Sequence, residues 1–166
     1  MTLLSLLRPI AAILFAAGLA ATASAQETRV AFGAIKADPS LPVEVTADTL
    51  DVNQETGEAV FTGNVVIGQG DMRLAAPRVL IVYKSTGEGI DRMEATGGVT
   101  LVSGPDAAEA ERADYTIDSG VIVMTGNVLL TQGRSALTSE QAIINLTTGT
   151  AQMTGRVRTI LQSGSD

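Results

Sequence analysis

The sequence predicts an all-β protein that is built from internal repeats, with antiparallel strands arranged as a sandwich or a barrel-like roll. The first observation behind this prediction is a short phrase that recurs four times with a glycine at its centre. The central glycines are Gly63, Gly97, Gly126 and Gly155, so their spacings are 34, 29 and 29 residues. A unit repeated at such a period cannot bury its own apolar face and stacks on its neighbours. The second observation is that apolar and polar residues alternate through the phrases, as they do on half-buried strands.

One side of each repeated phrase is apolar in all four units. The first unit places Phe61 and Ile67 on this side, and the third unit places Met124 and Leu130 there. Because side chains alternate along a strand, these residues are predicted to face a shared interior. The central glycine also lies on the inward side, where it permits either a bend within a strand or a hairpin turn. The sequence leaves both alternatives open.

A second strand-like run precedes each phrase, and turn residues ending in glycine separate the two. Residues 43–52 are followed by the turn 54–57, and residues 79–83 by the turn 84–87. Strands joined in this way without an amphipathic helix pair antiparallel in a sandwich or a roll. The one segment of helical composition, residues 106–112, follows a proline and is predicted to be a loop or a single turn.

The N-terminus is predicted to be a secretory signal peptide, cleaved after residue 25. It carries one positive charge, Arg8, then an apolar run over 10–21 and the small-residue sequence Ala23-Ser24-Ala25. The alternative is a retained membrane anchor, but the run is shorter than the roughly 20 apolar residues of a span. The predicted organisation of the rest is a flexible leader over 26–42, a single β-roll domain over 43–161 and a disordered tail over 162–166.

The composition excludes several chemistries. The chain has no histidine and no cysteine, which rules out Ser-His-Asp and Cys-His sites and the usual zinc ligand sets. We therefore predict no metal and no cofactor. With 18 acidic against 11 basic residues, of which cleavage would remove Arg8, the chain is a poor match for nucleic acid.

Paired carboxylates are the remaining route to catalysis, for example in a glycosidase-like reaction. Acidic residues do stand at related places in the repeats, but beside turns they more often form the turn or lie in solvent. We therefore predict that the protein is not an enzyme. The acidic residues in question are Asp48, Asp114 and Glu140, with Asp51, Glu55 and Glu58 nearby.

Two segments carry a resemblance to a known family. Residues 45–52 read V-T-A-D-T-L-D-V and residues 61–70 read F-T-G-N-V-V-I-G-Q-G, with an echo of both at 113–115 and 124–133. This combination resembles the LptA/OstA-like family of periplasmic lipopolysaccharide-transport bridge proteins, over about residues 43–161. The sequence departs from the pattern at four places: Pro77 and Glu140 replace the acid, and Gly98 and Arg156 replace the asparagine.

The resemblance implies an all-β fold, an antiparallel, twisted, partly open β-jelly-roll built from internal repeats. It also implies a periplasmic protein of outer-membrane assembly that shelters the acyl chains of lipopolysaccharide in an apolar groove. It implies end-to-end joining to an LptC-like inner-membrane subunit, to the N-terminal domain of an LptD-like outer-membrane protein, or to a second copy. The strands at 43–52 and 157–161 are the expected docking edges, since unpaired strands add readily to another sheet.

The inward alternation and the resemblance together select candidate groove residues, each of which could instead belong to an ordinary core. Three other functions stay open: an LptC-like anchored subunit, a strand-interaction module that binds no lipid, and, least favoured, a glycan-active enzyme. The candidate groove residues are Val43, Val45, Leu50, Phe61, Val65, Ile67, Leu74, Val79, Ile81, Leu101, Tyr115, Ile117, Met124, Val128 and Leu130.

Overall fold

Antiparallel strands form the whole regular structure of the described part of the chain. The computed structural model describes the backbone of residues 28–31, together with residues 38 and 40–160. Within these residues there are eleven strands and no helix, and so no helix of a length and apolarity that could cross a membrane. The strands are β1 (Thr28–Ala31), β2 (Glu44–Thr46), β3 (Thr49–Asn53), β4 (Glu58–Gln69), β5 (Met72–Tyr83), β6 (Ile90–Ser103), β7 (Asp106–Thr116), β8 (Val121–Gln132), β9 (Ser135–Asn145), β10 (Thr150–Thr154) and β11 (Arg158–Ile160).

The strands from β4 to β10 each pair with the next in sequence order. Short turns dictate this order: Gly70 and Asp71 alone link β4 to β5, so Gln69 stands opposite Met72. At one end of the sheet β2 and β3 both pair with β4, and at the other β10 and β11 both pair with β9. β1 adds to the free side of β10. The predicted all-β antiparallel fold is confirmed.

A line of bends crosses the sheet at the four central glycines. In β4 the pairing with β5 jumps from Thr62 to Val65, which leaves Gly63 and Asn64 in the left-handed region with φ of 80° and 45°. Of the two alternatives left by the sequence, the bend within a strand is therefore the one observed, and the hairpins lie elsewhere. We call this line of bends the fold line; its other members are Gly97–Gly98, Gly126–Asn127 and Gly155–Arg156.

The fold line divides the sheet into two layers. The first layer contains residues 58–62 of β4 with β3, and the second contains residues 65–69 of β4 with β2. In a flat sheet β4 and β7, which are three strands apart, would be separated by roughly 14 Å. Yet Tyr115 of β7, in the first layer, is hydrogen-bonded to Gln69 of β4, in the second. The sheet is therefore folded over, with the apolar core between its layers.

Two segments differ from the prediction. Residues 106–112, expected to be a loop or a turn, lie in β7, where Ala108 and Ala110 are buried while Glu109 and Glu111 are exposed. The period-two burial of small residues overrides the weak helical preference of Ala and Glu. Thr28–Ala31, inside the predicted flexible leader, forms β1. The predicted signal peptide, 1–25, and the predicted tail, 162–166, lie outside the described residues.

Candidate functional site: the apolar interior and its open end

Most of the predicted groove residues lie inside the folded sheet. The structure gathers fourteen of the fifteen in or against one apolar cluster between the layers. Partly buried at its margin are Val43, Val45, Phe61 and Ile117. Nearly or fully buried are Val65, Ile67, Leu74, Val79, Ile81, Leu101, Tyr115, Met124, Val128 and Leu130.

Leu50 is the predicted groove residue that lies apart from this cluster. It stands opposite Phe61 across the β3–β4 ladder, so both side chains point to the inward face. However, no strand of the described chain covers the outer side of β3, and Leu50 is 52% exposed. Val52, opposite the buried Ala59 on the same face, is 61% exposed. The inward apolar face thus continues beyond the closed core and reaches solvent at the β2–β3 end.

A cavity of about 390 Å³ marks the same end of the roll. It is lined by residues 45–50, which connect β2 to β3, and by Phe61. Phe61 is therefore shared between the core, against which it packs, and this opening. An apolar chain entering the roll from the β2–β3 end would meet Leu50 and Phe61 first.

Several inward residues were not among the candidates. Met72, Ile144 and Leu146 are buried in the same core. In β9 the alternation of apolar and polar residues is interrupted because Glu140 lies at a bend. The inward positions change there from odd numbers, such as Leu137, to even numbers, such as Ala142. One extra residue at a bend moves every later side chain to the other face, so a strict period of two no longer predicts the inward positions.

Polar residues that are not among the predicted groove residues also project into the interior. Gln69 and Asp106 are buried at the turn ends of β4 and β7. The Tyr115 hydroxyl donates to Gln69 Oε1 at 3.0 Å, and Gln69 Nε2 donates to the carbonyl of Leu41 at 3.1 Å. Gln132 Nε2 lies 3.3 Å from Asp106 Oδ2. Gln69 has the same parity as Phe61, so the alternation along β4 does predict that it faces inward.

Burial also changes the acid–base behaviour of the interior tyrosine. Removal from water raises the pKa of the Tyr115 phenol, because the charged phenolate would lose its hydration. The hydroxyl therefore stays protonated at neutral pH and acts as the donor to Gln69.

Two of the acidic residues considered for catalysis, Asp48 and Glu140, have hydrogen-bond partners at the fold line. Asn64 Nδ2 donates to Asp48 Oδ2 at 2.9 Å, and Arg156 Nε donates to Glu140 Oε1 at 2.8 Å. Both carboxylates thus hold the residue that follows a fold-line glycine.

The third predicted equivalent, Asp114, is a wrong assignment. In its unit Glu111 takes the fold-line role: Asn127 Nδ2 donates to Glu111 Oε1 at 2.6 Å. Asp114 lies three residues further along β7, where it pairs with Arg112 at 2.6 Å. The Ala-Asp dipeptide of the first unit recurs at Ala113-Asp114, but the acid that holds the residue after the central glycine is Glu111.

Charge differs between the two ends of the roll. The sequence from Asp38 to Asp71 contains seven acidic residues and no lysine or arginine, and it includes the β2–β3 edge. The opposite end, residues 134–160, contains Arg134, Arg156 and Arg158 against one acidic residue, Glu140, with which Arg156 is paired. The two ends are therefore electrostatically complementary.

Fold and site together define the chain as an open antiparallel β-jelly-roll with an apolar interior and strand edges at both ends. Residues 44–156 match the family described as LptA/(LptD N-terminal domain) LPS transport protein. The chain belongs to this family of lipopolysaccharide transport proteins, which confirms the resemblance seen in the sequence.

Two further comparisons agree with this membership. An uncharacterized protein of Rhizobium meliloti (strain 1021) is 31% identical over 127 residues, which cover 69% of this chain and 68% of the relative. The crystal structure of LptH, the LptA-homologous periplasmic component of the lipopolysaccharide transport device of Pseudomonas aeruginosa, superposes with a TM-score of 0.69. The match covers 76% of this chain and 99% of LptH, and at 16% identity it shows a shared fold.

Proposed function

We propose that the protein is a periplasmic carrier that holds the acyl chains of lipopolysaccharide between its two layers and joins other modules end to end. The single observation that carries this proposal is the inward apolar face that reaches solvent at Leu50 and Val52. Large apolar side chains that are exposed on the inward side of an edge strand add nothing to the core of a monomer. They indicate a surface that binds something else. Family membership supports the choice of lipopolysaccharide as the lipid.

The energetics of the lipid require such a continuous apolar path. Burying one CH2 group stabilises by about 0.8 kcal/mol, so an acyl chain of a dozen carbons amounts to roughly 9 kcal/mol relative to water. A step through solvent at a junction between modules would restore this cost. Leu50 and Val52 at the end of one module would keep the chain covered while it crosses to the next.

End-to-end joining is supported by the strand edges and by their charges. Within the described chain β2 and β3 have no neighbour on their outer side, and β11 pairs only with β9. Such edges add to another sheet through backbone hydrogen bonds. The acidic β2–β3 end and the basic β11 end then favour head-to-tail over head-to-head contact. The partners would be an LptC-like subunit, the N-terminal domain of an LptD-like protein, or a second copy.

Photo-crosslinking tests the lipid-binding part of the proposal. A benzophenone amino acid in place of Phe61 should crosslink to lipopolysaccharide, because Phe61 lies between the opening and the core. The matched control is the same substitution at Thr100, which is exposed on the second layer. Equal labelling at both positions, or none at Phe61 in folded protein, would refute an interior lipid site.

The second candidate function is a strand-interaction module that binds no lipid. The nearly complete burial of the central inward residues favours it, because such an interior resembles an ordinary core. Phe61→Asp separates the two functions: a carrier loses lipopolysaccharide binding while its edges still assemble. If neither the wild type nor Phe61→Asp retains lipopolysaccharide, while both still assemble through their edges, the interaction module is the better description.

A further inference from the structure

We propose that the hydrogen bond between Tyr115 and Gln69 is a latch that holds the two layers together in the empty protein and opens when acyl chains enter. The inference rests on the proposed carrier function and adds to it a residue pair that controls access to the interior. The two side chains are 2% and 1% exposed, and 46 residues separate them in the sequence.

The interior has to open because its centre is already filled. Leu101, Met124 and Leu130 are fully buried among other side chains between the layers. Protein interiors are close-packed, and extra methylene groups forced into them displace side chains and backbone. An acyl chain therefore gains space only if the two layers move apart.

The fold line determines where this movement is largest. The long strands run continuously through the bends, so the layers stay joined there and open like a hinge. Gln69 is the last residue of β4, five residues beyond Asn64 of the fold line and about 16 Å along the strand. Tyr115 stands next to the last residue of β7, four residues beyond Glu111. The hydrogen bond thus joins the layers near their free margins, where a hinge opens most.

The chemistry of the pair suits a reversible closure. Both groups are neutral, and breaking the bond exposes one hydroxyl donor and one amide acceptor at the margin of the apolar interior. An acylated amino sugar carries amide and hydroxyl groups where its acyl chains begin, and these can replace the lost partners. The polar groups that close the empty roll would then contact the neck of the bound lipid, below a headgroup that remains in solvent.

One neutral hydrogen bond also has the right strength for a latch. Its net contribution corresponds to roughly a five-fold change in an equilibrium constant. Its loss would therefore raise the population of the open roll by about that factor without unfolding the protein. The second bond of Gln69, from its Nε2 to the Leu41 carbonyl, keeps the amide in place when the tyrosine leaves.

The first test is the uptake rate of fluorescently labelled lipopolysaccharide by Tyr115→Phe. The ring is retained and only the hydroxyl is lost, so we expect uptake about five times faster than in the wild type. The matched control is Tyr83→Phe, since Tyr83 is the other tyrosine and is exposed. A merely structural hydroxyl would lower the melting temperature and leave the uptake rate unchanged, which would overturn the latch.

The second test locks the layers together. The chain has no cysteine, so Gln69→Cys with Tyr115→Cys can be joined by a short, reducible bis-maleimide. We expect the linked protein to lose lipopolysaccharide uptake and to recover it on reduction. The control links Thr100→Cys to Glu109→Cys, neighbours on the exposed side of one layer, and should take up lipid normally.

The outcomes separate the latch from the carrier function. If the unlinked wild type binds no lipopolysaccharide, the proposed function fails and the latch fails with it. If the wild type binds and the two linked variants take up lipid equally, the carrier function stands and the latch is wrong. Should the cysteine pair prevent folding, the rate measured with Tyr115→Phe decides the question alone.

Discussion

The carboxylate of Asp48 occupies the space that a β-carbon at Gly63 would need. Asp48 Oδ2 is the nearest atom to that position, and the Asp48 backbone N–H donates to the Gly63 carbonyl at 2.9 Å. Two other pairs, Glu111 with Gly126 and Glu140 with Gly155, repeat the arrangement along the fold line. At these three positions glycine is required for two reasons: the backbone is left-handed, and a carboxylate fills the space of a β-carbon.

Gly63→Ala should destabilise the protein for both reasons. The left-handed conformation costs a non-glycine residue about 1–2 kcal/mol, and the contact with Asp48 adds at least about 1 kcal/mol. Gly87→Ala is the matched control, because Gly87 has a φ of 76° with no atom near its β-carbon position. Urea unfolding should rank Gly63→Ala as the more destabilised variant. Equal losses in both variants would contradict the role of Asp48.

Arg112→Ala should destabilise the fold more than Arg92→Ala. Glu94 and Asp114 stand directly opposite each other on β6 and β7, where like charges repel. Arg112 bridges both carboxylates, at 2.8 Å and 2.6 Å, whereas Arg92 reaches Glu94 but not Asp114. We expect a loss of about 1 kcal/mol for Arg112→Ala and less for Arg92→Ala, by urea unfolding. The reverse order would show that the opposed acids need no neutralisation.

The same cluster predicts a pH dependence. The hydrogen bond from Arg92 lowers the pKa of Glu94, burial opposes this, and the hydrogen bond from Arg112 adds to the lowering. A carboxyl group whose folded pKa is lowered stabilises the protein above its unfolded pKa of about 4.3, and this contribution disappears as the pH falls through the folded value. The stability difference between wild type and Glu94→Gln should be constant from pH 7 to about 5 and shrink below about 4.3. A difference that grows on acidification would contradict this sign.

The sequence predicted the strands well because one side of each repeat is consistently apolar. Phe61, Val65 and Ile67 keep their period of two across the bend, since Gly63 and Asn64 together add an even number of residues. On β5, β7 and β9 the bend adds an odd number, so inward positions change parity there. A strict alternation extended from Leu137 therefore does not identify Ile144 as an inward residue.

The polar features were harder to predict because they depend on contacts distant in sequence. Nothing near Gln69 indicates that Tyr115, 46 residues away, will reach it across the interior. The equivalence of Glu111 with Asp48 likewise depends on three-dimensional position, since Ala113-Asp114 repeats the local sequence of the first unit more closely. Local pattern identifies strands and faces, whereas the folding of the sheet decides which polar side chains meet.

Leu50→Asp should weaken lipopolysaccharide binding while the fold remains intact. Leu50 is half exposed, so a charge there costs little stability, yet it lies on the inward face opposite Phe61. A carboxylate at the opening would have to be desolvated beside each entering acyl chain. We expect at least a ten-fold weaker apparent affinity, on the order of 1.4 kcal/mol, with little change in melting temperature. Asp51→Asn, on the neighbouring and outward position, is the control and should bind normally.

If two copies join head to tail as proposed, charge reversal at the β11 end should abolish their association. Arg158 is exposed on β11. Within the described residues it forms no ion pair, so its replacement breaks none. Arg158→Glu should therefore leave the melting temperature unchanged. It should shift sedimentation toward the monomer, because the new carboxylate would repel the acidic β2–β3 end of the next copy.

A rescue experiment tests the orientation of the ends. Glu44→Arg on β2 in a second population should restore association when the two variants are mixed, and high salt should weaken the wild-type contact. Arg78→Glu, the same reversal on a central strand, controls for net charge. Association that survives Arg158→Glu and ignores salt would mean that charge does not select the orientation of the ends.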